Sequence, residues 1–307
     1  MSRVGFSAES QEFAMKHFVF TLIVLVGFAG RSFGQASDEL PFTAFTDWSF
    51  NNNAGWRAIS RNQFDVGERH FRAAIQAIRP YDANDPRLLA HSYNDVAWAL
   101  HKQGRSREAQ PLADWALKVR EAKVGADAEA TAQTLFVLGS IEAELGHLDL
   151  AETCFNKTLA IHQIRSGPNS ANVISALIDL ANVQAARRKF SQAQAAFNRV
   201  LNTPARFLND NDPNRALAFA GLADIENVKG EIDKAIDHLR KAIAIYEQIP
   251  PSDPTTRPKL DQKLQELLKR QSNQTPKSSV TQDRSHRAKE TASIFQPKRP
   301  KFDPKPA

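Results

Sequence analysis

The side chains that could do chemistry are plentiful in this chain but scattered. Eight histidines and one cysteine stand among 307 residues. A hydrolytic or structural metal site needs imidazoles or thiolates at short, regular spacings such as HExxH, and the sequence contains no such run. His91 and His101 lie ten residues apart on one predicted helix. Ten residues turn a helix through about 1000°, leaving the two rings about 80° out of line, so they do not converge on one ion. Cys154 follows an apolar helical pattern beside Phe155 and reads as a buried thiol, and a single cysteine excludes an intramolecular disulfide and a thiolate-rich metal site. There is no GxGxxG and no GxxxxGK[ST] to cradle a nucleotide phosphate. Carboxylates such as Glu142 and Glu144 have the distribution of solvated helix charges. No catalytic residue, no metal ligand and no cofactor is expected, and the chain does not read as an enzyme.

What the sequence has instead is repetition. The stretch from Tyr93 to Trp115, YNDVAWALHKQGRSREAQPLADW, recurs at a fixed spacing of 42 residues, which carries the position of Gly104 onto Asn62, Gly146, Arg188 and Gly230. Five residues further on stand Gly67, Ala109, Ala151, Ala193 and Ala235, and seven before the anchor stand Gly55, Ala97, Gly139, Ala181 and Ala223. Both columns are small. Ala54, Val96, Leu138, Leu180 and Leu222 supply apolar knobs, while Phe71, Ala113, Phe155, Phe197 and Leu239 fill the space between neighbours. The flanking stretches are long, apolar at helical period and rich in Ala, Leu, Gln and Arg, so each copy predicts a helical hairpin. In Asp85-Pro86 and Asp212-Pro213 the Asp can cap a helix whose first position is the Pro. A run of helical hairpins that cannot each bury a face alone must stack. The expected fold is therefore all-α, a stack of about five hairpins closed by a capping helix over Lys259 to Arg270, where Leu260, Leu264, Leu267 and Leu268 share one face.

The ends differ in character. FVFTLIVLVGFAG, Phe18 to Gly30, is too short to cross a membrane core of about 30 Å and resembles the apolar centre of a secretory signal. Lys16 precedes it and small residues follow at Gly34 and Ala36, and Met15 makes a better start than Met1 because Glu9 and Glu12 suit a signal poorly. A cleaved signal over 1–36, a lead-in over 37–47, repeats with their cap over 48–270 and a basic disordered tail over 271–307 are expected. Localisation is then secreted or periplasmic, with no stable membrane span. Net charge is +6, but from Gln271 onward eight Lys or Arg face three Asp or Glu, so the tail carries most of it. Lys298, Arg299, Lys301 and Lys305, interleaved with prolines, could meet a polyanion or an envelope surface. Export argues against nucleic acid as that partner.

The columns resemble the tetratricopeptide repeat family, in its 42-residue kinesin-light-chain form; Gly139, Gly146, Ala151 and Phe155 follow the family's order of small residue, Gly, Ala and aromatic. The resemblance covers Trp48 to Gln248 and implies a right-handed superhelix whose first helices line a concave groove for an extended peptide or partner helix. Its groove positions fall here on Asn53 and Trp56, Asn94 and Trp98, His101, Ser140, Asn182 and Asp224. Asn pairs with peptide backbone and Trp supplies apolar contact. Solvated helix faces, or Trp packing between repeats, are the plainer alternative. Members that clamp a terminal carboxylate place Lys, Asn and Arg in the groove. The corresponding positions hold Asn52, Trp56, Asp95, Gln133 and Val137, with no cation, so that mode is not expected. The resemblance implies a protein–protein adaptor and names no particular partner.

Overall fold

The structure is a computed structural model that describes residues 40–81, 85–248 and 256–274, and the backbone alone of residue 274. Five hairpins follow in order: α1 (Phe42–Ile59) with α2 (Phe64–Ile78), α3 (Arg87–Lys102) with α4 (Ser106–Val124), α5 (Glu129–Leu145) with α6 (Leu148–Ser166), α7 (Ala171–Ala186) with α8 (Phe190–Leu201), and α9 (Pro213–Lys229) with α10 (Ile232–Gln248). α11 (Thr256–Gln274) closes the stack. Among the described residues there is no strand.

Each hairpin turns at the repeated anchor. Gly104, Gly146 and Gly230 have φ of 76°, 86° and 80°, and Asn62 and Arg188 adopt the same left-handed conformation at 58° and 59°. Glycine takes this conformation without a Cβ clash, whereas a non-glycine residue pays about 1 kcal/mol or more. The turn is therefore kept at all five anchors, with Asn62 the non-glycine type that tolerates it best and Arg188 opposing it. Behind the turns, the small columns and the aromatic column are buried together, with Phe71, Phe155 and Phe197 wholly enclosed. A Cβ on Gly55 would sit 2.4 Å from the Phe71 ring, which explains why that column stays small.

Neighbouring hairpins are also tied by repeated ion pairs at their turns. Glu68 on α2 accepts from Gln103 at 2.8 Å and Arg105 at 2.7 Å. Two repeats on, Glu152 on α6 accepts from Arg187 and from Lys189, the latter at 2.8 Å. Burial works against ionisation at both sites. Hydrogen bonds from Gln103 and Arg72 at Glu68, and from Lys189 at Glu152, with the charges of nearby Arg and Lys, hold both carboxyls below the ordinary range.

The helix boundaries correct several sequence expectations. α1 begins at Phe42, so most of the expected lead-in over 37–47 is helical, and the cap helix runs past Arg270 to Gln274. The Phe45 and Trp48 rings pack with centroids 5.5 Å apart and tilted by 33°, an early turn of α1 that packs although its apolar pattern is irregular. Asp212 caps α9 as expected, accepting from Asn214 N at 2.8 Å with Pro213 in the first turn. At α3 the cap position is Pro86 instead, and Asp85 reaches past it to accept from Arg87 N at 3.1 Å. α8 has only 12 residues, and the long link after it is pinned by Arg215. That guanidinium donates to the carbonyls of Thr203, Leu208 and Asn209 at 2.7, 2.9 and 3.0 Å, and also to that of Leu201. On α11, Leu260 and Leu267 are buried and Leu264 and Leu268 half-buried against α9 and α10. The expected signal over 1–36 and the tail from 275 onward lie outside the described residues. No described helix is long and apolar enough to cross a membrane.

Candidate partner-binding groove

The first helices of the second to fifth hairpins, α3, α5, α7 and α9, touch in series, whereas successive second helices make weak contact or none. The more closely packed layer lies on the inside of the curve, so the first helices form the concave side. A helix shows that side along a stripe of positions three and four apart. On α5 the stripe is Gln133, Val137, Ser140 and Glu144; on α7 it is Ser175, Asp179, Asn182 and Ala186. Gln133, Ser175 and Asn182 are half-buried, and Glu144 and Ala186 exposed.

The expected groove residues divide into three groups. Asn53 and Asn182 are half-buried on their stripes, and Asn53 makes only a long contact of 3.5 Å to Ser49 Oγ. Asp224 is exposed but already paired, because Lys263 of α11 donates to both its oxygens at 2.8 Å. Trp56, Asn94, Trp98, His101 and Ser140 are buried, and Trp56, Trp98 and His101 contact the next repeat. That corrects their reading as open contact positions. Trp56 Nε1 donates to Asp95 at 3.0 Å while its ring meets Phe71 edge-on at 5.5 Å. Trp98 packs on Phe136 at 6.1 Å and lies under the Lys102 ammonium at 5.2 Å. Ser140 Oγ donates to the Phe136 carbonyl at 3.0 Å.

Asp95, at the heart of the buried set, is wholly enclosed. It accepts from Asn52 at 2.8 Å and Trp56 at 3.0 Å, both on the preceding first helix, and from Asn94 at 3.3 Å, with His91 Nε2 also 3.3 Å away. Behind His91 sits Arg120, 3.4 Å from Nδ1, which donates to Thr134 Oγ1 at 2.7 Å and to the Ala130 carbonyl. Burial pushes the Arg120 guanidinium down to about 10 against the pull of Asp95. The network ties α1, α3, α4 and α5 together, and a buried charge so fully bonded is structural.

Ser106, His101 and Glu144 also meet. His101 Nδ1 lies 2.9 Å from Ser106 Oγ and 2.8 Å from Glu144, but Ser106 donates directly to Glu144 at 2.6 Å. Both contacts fall on one ring nitrogen, so the imidazole does not stand between a nucleophile and a carboxylate as activation requires. Burial pushes the Cys154 thiol up to about 11, which leaves it protonated at neutral pH. No group of three or more described His, Cys, Asp or Glu is placed to hold a metal ion.

Asp179 is a residue that the sequence reading passed over. It lies 3% exposed at the middle of the α7 stripe, between Ser175 and Asn182. Its Oδ1 has no hydrogen-bond partner, and burial pushes its carboxyl up to about 7, with Lys102 pulling the other way. The available signal was a carboxylate set between Ile178 and Leu180, in a helix otherwise apolar at that height.

Stacked helical hairpins with an inner layer of first helices define a class, the helical-repeat scaffolds. Family models described as tetratricopeptide repeat match residues 89–127, 130–204 and 178–254, together over half of the chain. The chain belongs to the tetratricopeptide repeat family, whose members are generally non-enzymatic and bind protein or peptide partners. Among solved structures, BtubC (BKLC) from P. vanneervenii is 18% identical with a TM-score of 0.57, over 80% of this chain and 98% of that one. The nearly identical kinesin-light-chain TPR-like repeats from Podosopora anserina give 16% identity and a TM-score of 0.55, over 64% and 93%. A Rap protein complexed with Competence and Sporulation Factor gives 13% and 0.55, over 84% of each chain. At these identities the likeness is one of fold. No curated protein matches the sequence significantly.

Proposed function

We propose that this chain is a non-enzymatic adaptor that holds a peptide or protein partner on its inner helices. The carrying observation is the stripe on α5 and α7, where Gln133, Ser175 and Asn182 stand half-buried on the inside of the curve. Partly exposed amide and hydroxyl groups there can exchange water for the backbone of an extended segment. Asn53 extends the stripe onto α1. A photo-crosslinking side chain at Gln133 or Asn182 should capture the partner. The same group at Ile164, which is 81% exposed on the outer helix α6, should not. Capture from Ile164 alone would place binding on the outer face and refute the groove.

The adaptor works outside the cytoplasm, on the evidence of the apolar run Phe18 to Gly30 behind Lys16. N-terminal sequencing of the mature chain should begin after Gly34 or Ala36, and a mature chain that retains Phe18 overturns export. A second surface, the cationic tail with Lys298, Arg299, Lys301 and Lys305, meets a polyanion or the envelope. Its binding should fall steeply with salt and vanish when residues 275–307 are deleted. Binding that survives the deletion removes the tail from that role.

A further inference from the structure

The repeat supplies its own control for Asp179. Asp95 and Asp179 occupy the same position of the 42-residue unit, two repeats apart. At Asp95 the carboxylate is satisfied by Asn52, Trp56, His91 and Asn94. The residues that hold those four positions relative to Asp179 are Phe136, Ser140, Ser175 and Ile178. Two are apolar. The Ser140 hydroxyl is directed to the Phe136 carbonyl at 3.0 Å. Asp179 keeps the acceptor while the Asn, Trp and His donors around it are replaced, and Oδ1 stands without a partner. A buried polar atom left in that state is costly, and a ligand able to satisfy it recovers the cost on binding.

The surroundings say which ligand. The unsatisfied group is an acid, so the complement is a donor, and a charged donor is favoured over a neutral one. Ser175 and Asn182, half-buried one turn to either side, open the stripe to the groove. Phe136, half-buried where Asn52 stands in the first repeat, offers an apolar wall to an aliphatic stem. Lys102 is the charge whose field reaches the carboxyl; its ammonium lies over the rings of Trp98 and Phe64 at 5.2 and 5.8 Å.

We propose that Asp179 is the groove's specificity determinant, taking the lysine or arginine side chain of a bound polypeptide segment. This rests on the groove reading above, and the test separates the two. A displayed library of random short linear peptides is selected on the wild-type chain and on Asp179→Asn, an isosteric change that removes the charge. Wild type should enrich peptides with Lys or Arg at one fixed position, and Asp179→Asn should lose that preference while still enriching peptides. One selected peptide is then remade with Gln in place of the cation. Its affinity for wild type should fall about tenfold, and its affinity for Asp179→Asn should not change, as expected for a charged hydrogen bond. The peptide change is read on wild type, so the test holds even if the protein variant folds poorly. Enriched peptides without a preferred cation, or a preference that survives Asp179→Asn, overturn the proposal and leave the groove standing. If no peptide enriches, both the proposal and the groove reading fail.

Discussion

Replacing Asp179 by Asn should change stability in a way that depends on pH, and the sign follows from where the carboxyl titrates. In the native chain burial holds it at about 7, against an ordinary value of 3.8. The native state therefore binds this proton more tightly than the unfolded chain does. The stabilisation that comes with the neutral acid is full below about pH 4, falls as pH rises through about 7, and is absent above it. A displacement of that size corresponds to a cost on the order of 4 kcal/mol for the ionised form, because each tenfold in proton affinity is about 1.4 kcal/mol. Asn carries no such charge, and its own desolvation is the same at every pH. The difference in unfolding free energy, Asp179→Asn minus wild type, should therefore shift in favour of the variant by a few kcal/mol between about pH 4 and pH 8. Urea unfolding followed by circular dichroism across that range reads it directly, since the titration of other groups cancels in the difference. A difference that stays flat with pH would show that Asp179 is hydrated or paired in solution, and the account of the orphaned carboxyl would collapse.

Asp95→Ala removes the acceptor of Asn52 and Trp56 and leaves Arg120 buried without its counter-charge, so a loss of about 3 to 5 kcal/mol is expected in the same urea assay. Arg188→Gly should stabilise the chain by about 0.5 to 1 kcal/mol, because it relieves a left-handed non-glycine residue at an exposed turn; a lower urea midpoint would contradict this. Arg215→Gln withdraws donors from the carbonyls that hold the link between α8 and α9, and amide exchange there should quicken about tenfold or more while α5 and α6 stay protected. Ala181→Leu should cost about 1 to 3 kcal/mol by overpacking a closed contact, and an unchanged thermal midpoint would break the column register.

The fold was legible because its evidence was repeated five times. A single Gly104 or Ala109 would have said little, but small residues recurring every 42 positions describe a packing constraint, and each such column is now seen to be buried. Arg188 was legible only through its place in the series, since its residue type disfavours the left-handed conformation, whereas Asn62 is of the non-glycine type that adopts it most readily. The groove was harder to read. Family position put Trp56, Asn94, Trp98, His101 and Ser140 on the inner helices, yet whether an inner position opens to solvent depends on what the preceding helix sets against it. Asn52 and Trp56 close over Asp95, and no feature of Asp95 alone signals that. Asp224 was lost to the groove for a similar reason, because its partner Lys263 comes from the cap and not from a repeat. Asp179 escaped notice because one acid in an apolar helix reads as an exception until the donors around its counterpart are known.

Among the described residues, all but the weakest helix contacts join helices that are next or next but one in the chain. Among these residues no strap binds one end of the stack to the other. Mechanically the molecule is a row of springs in series, whose compliances add, so a modest strain at each hairpin junction sums to a large change in pitch. A partner lying along several inner helices would meet a ruler whose graduations stretch together, and a pull on either end would be felt as a change in their spacing.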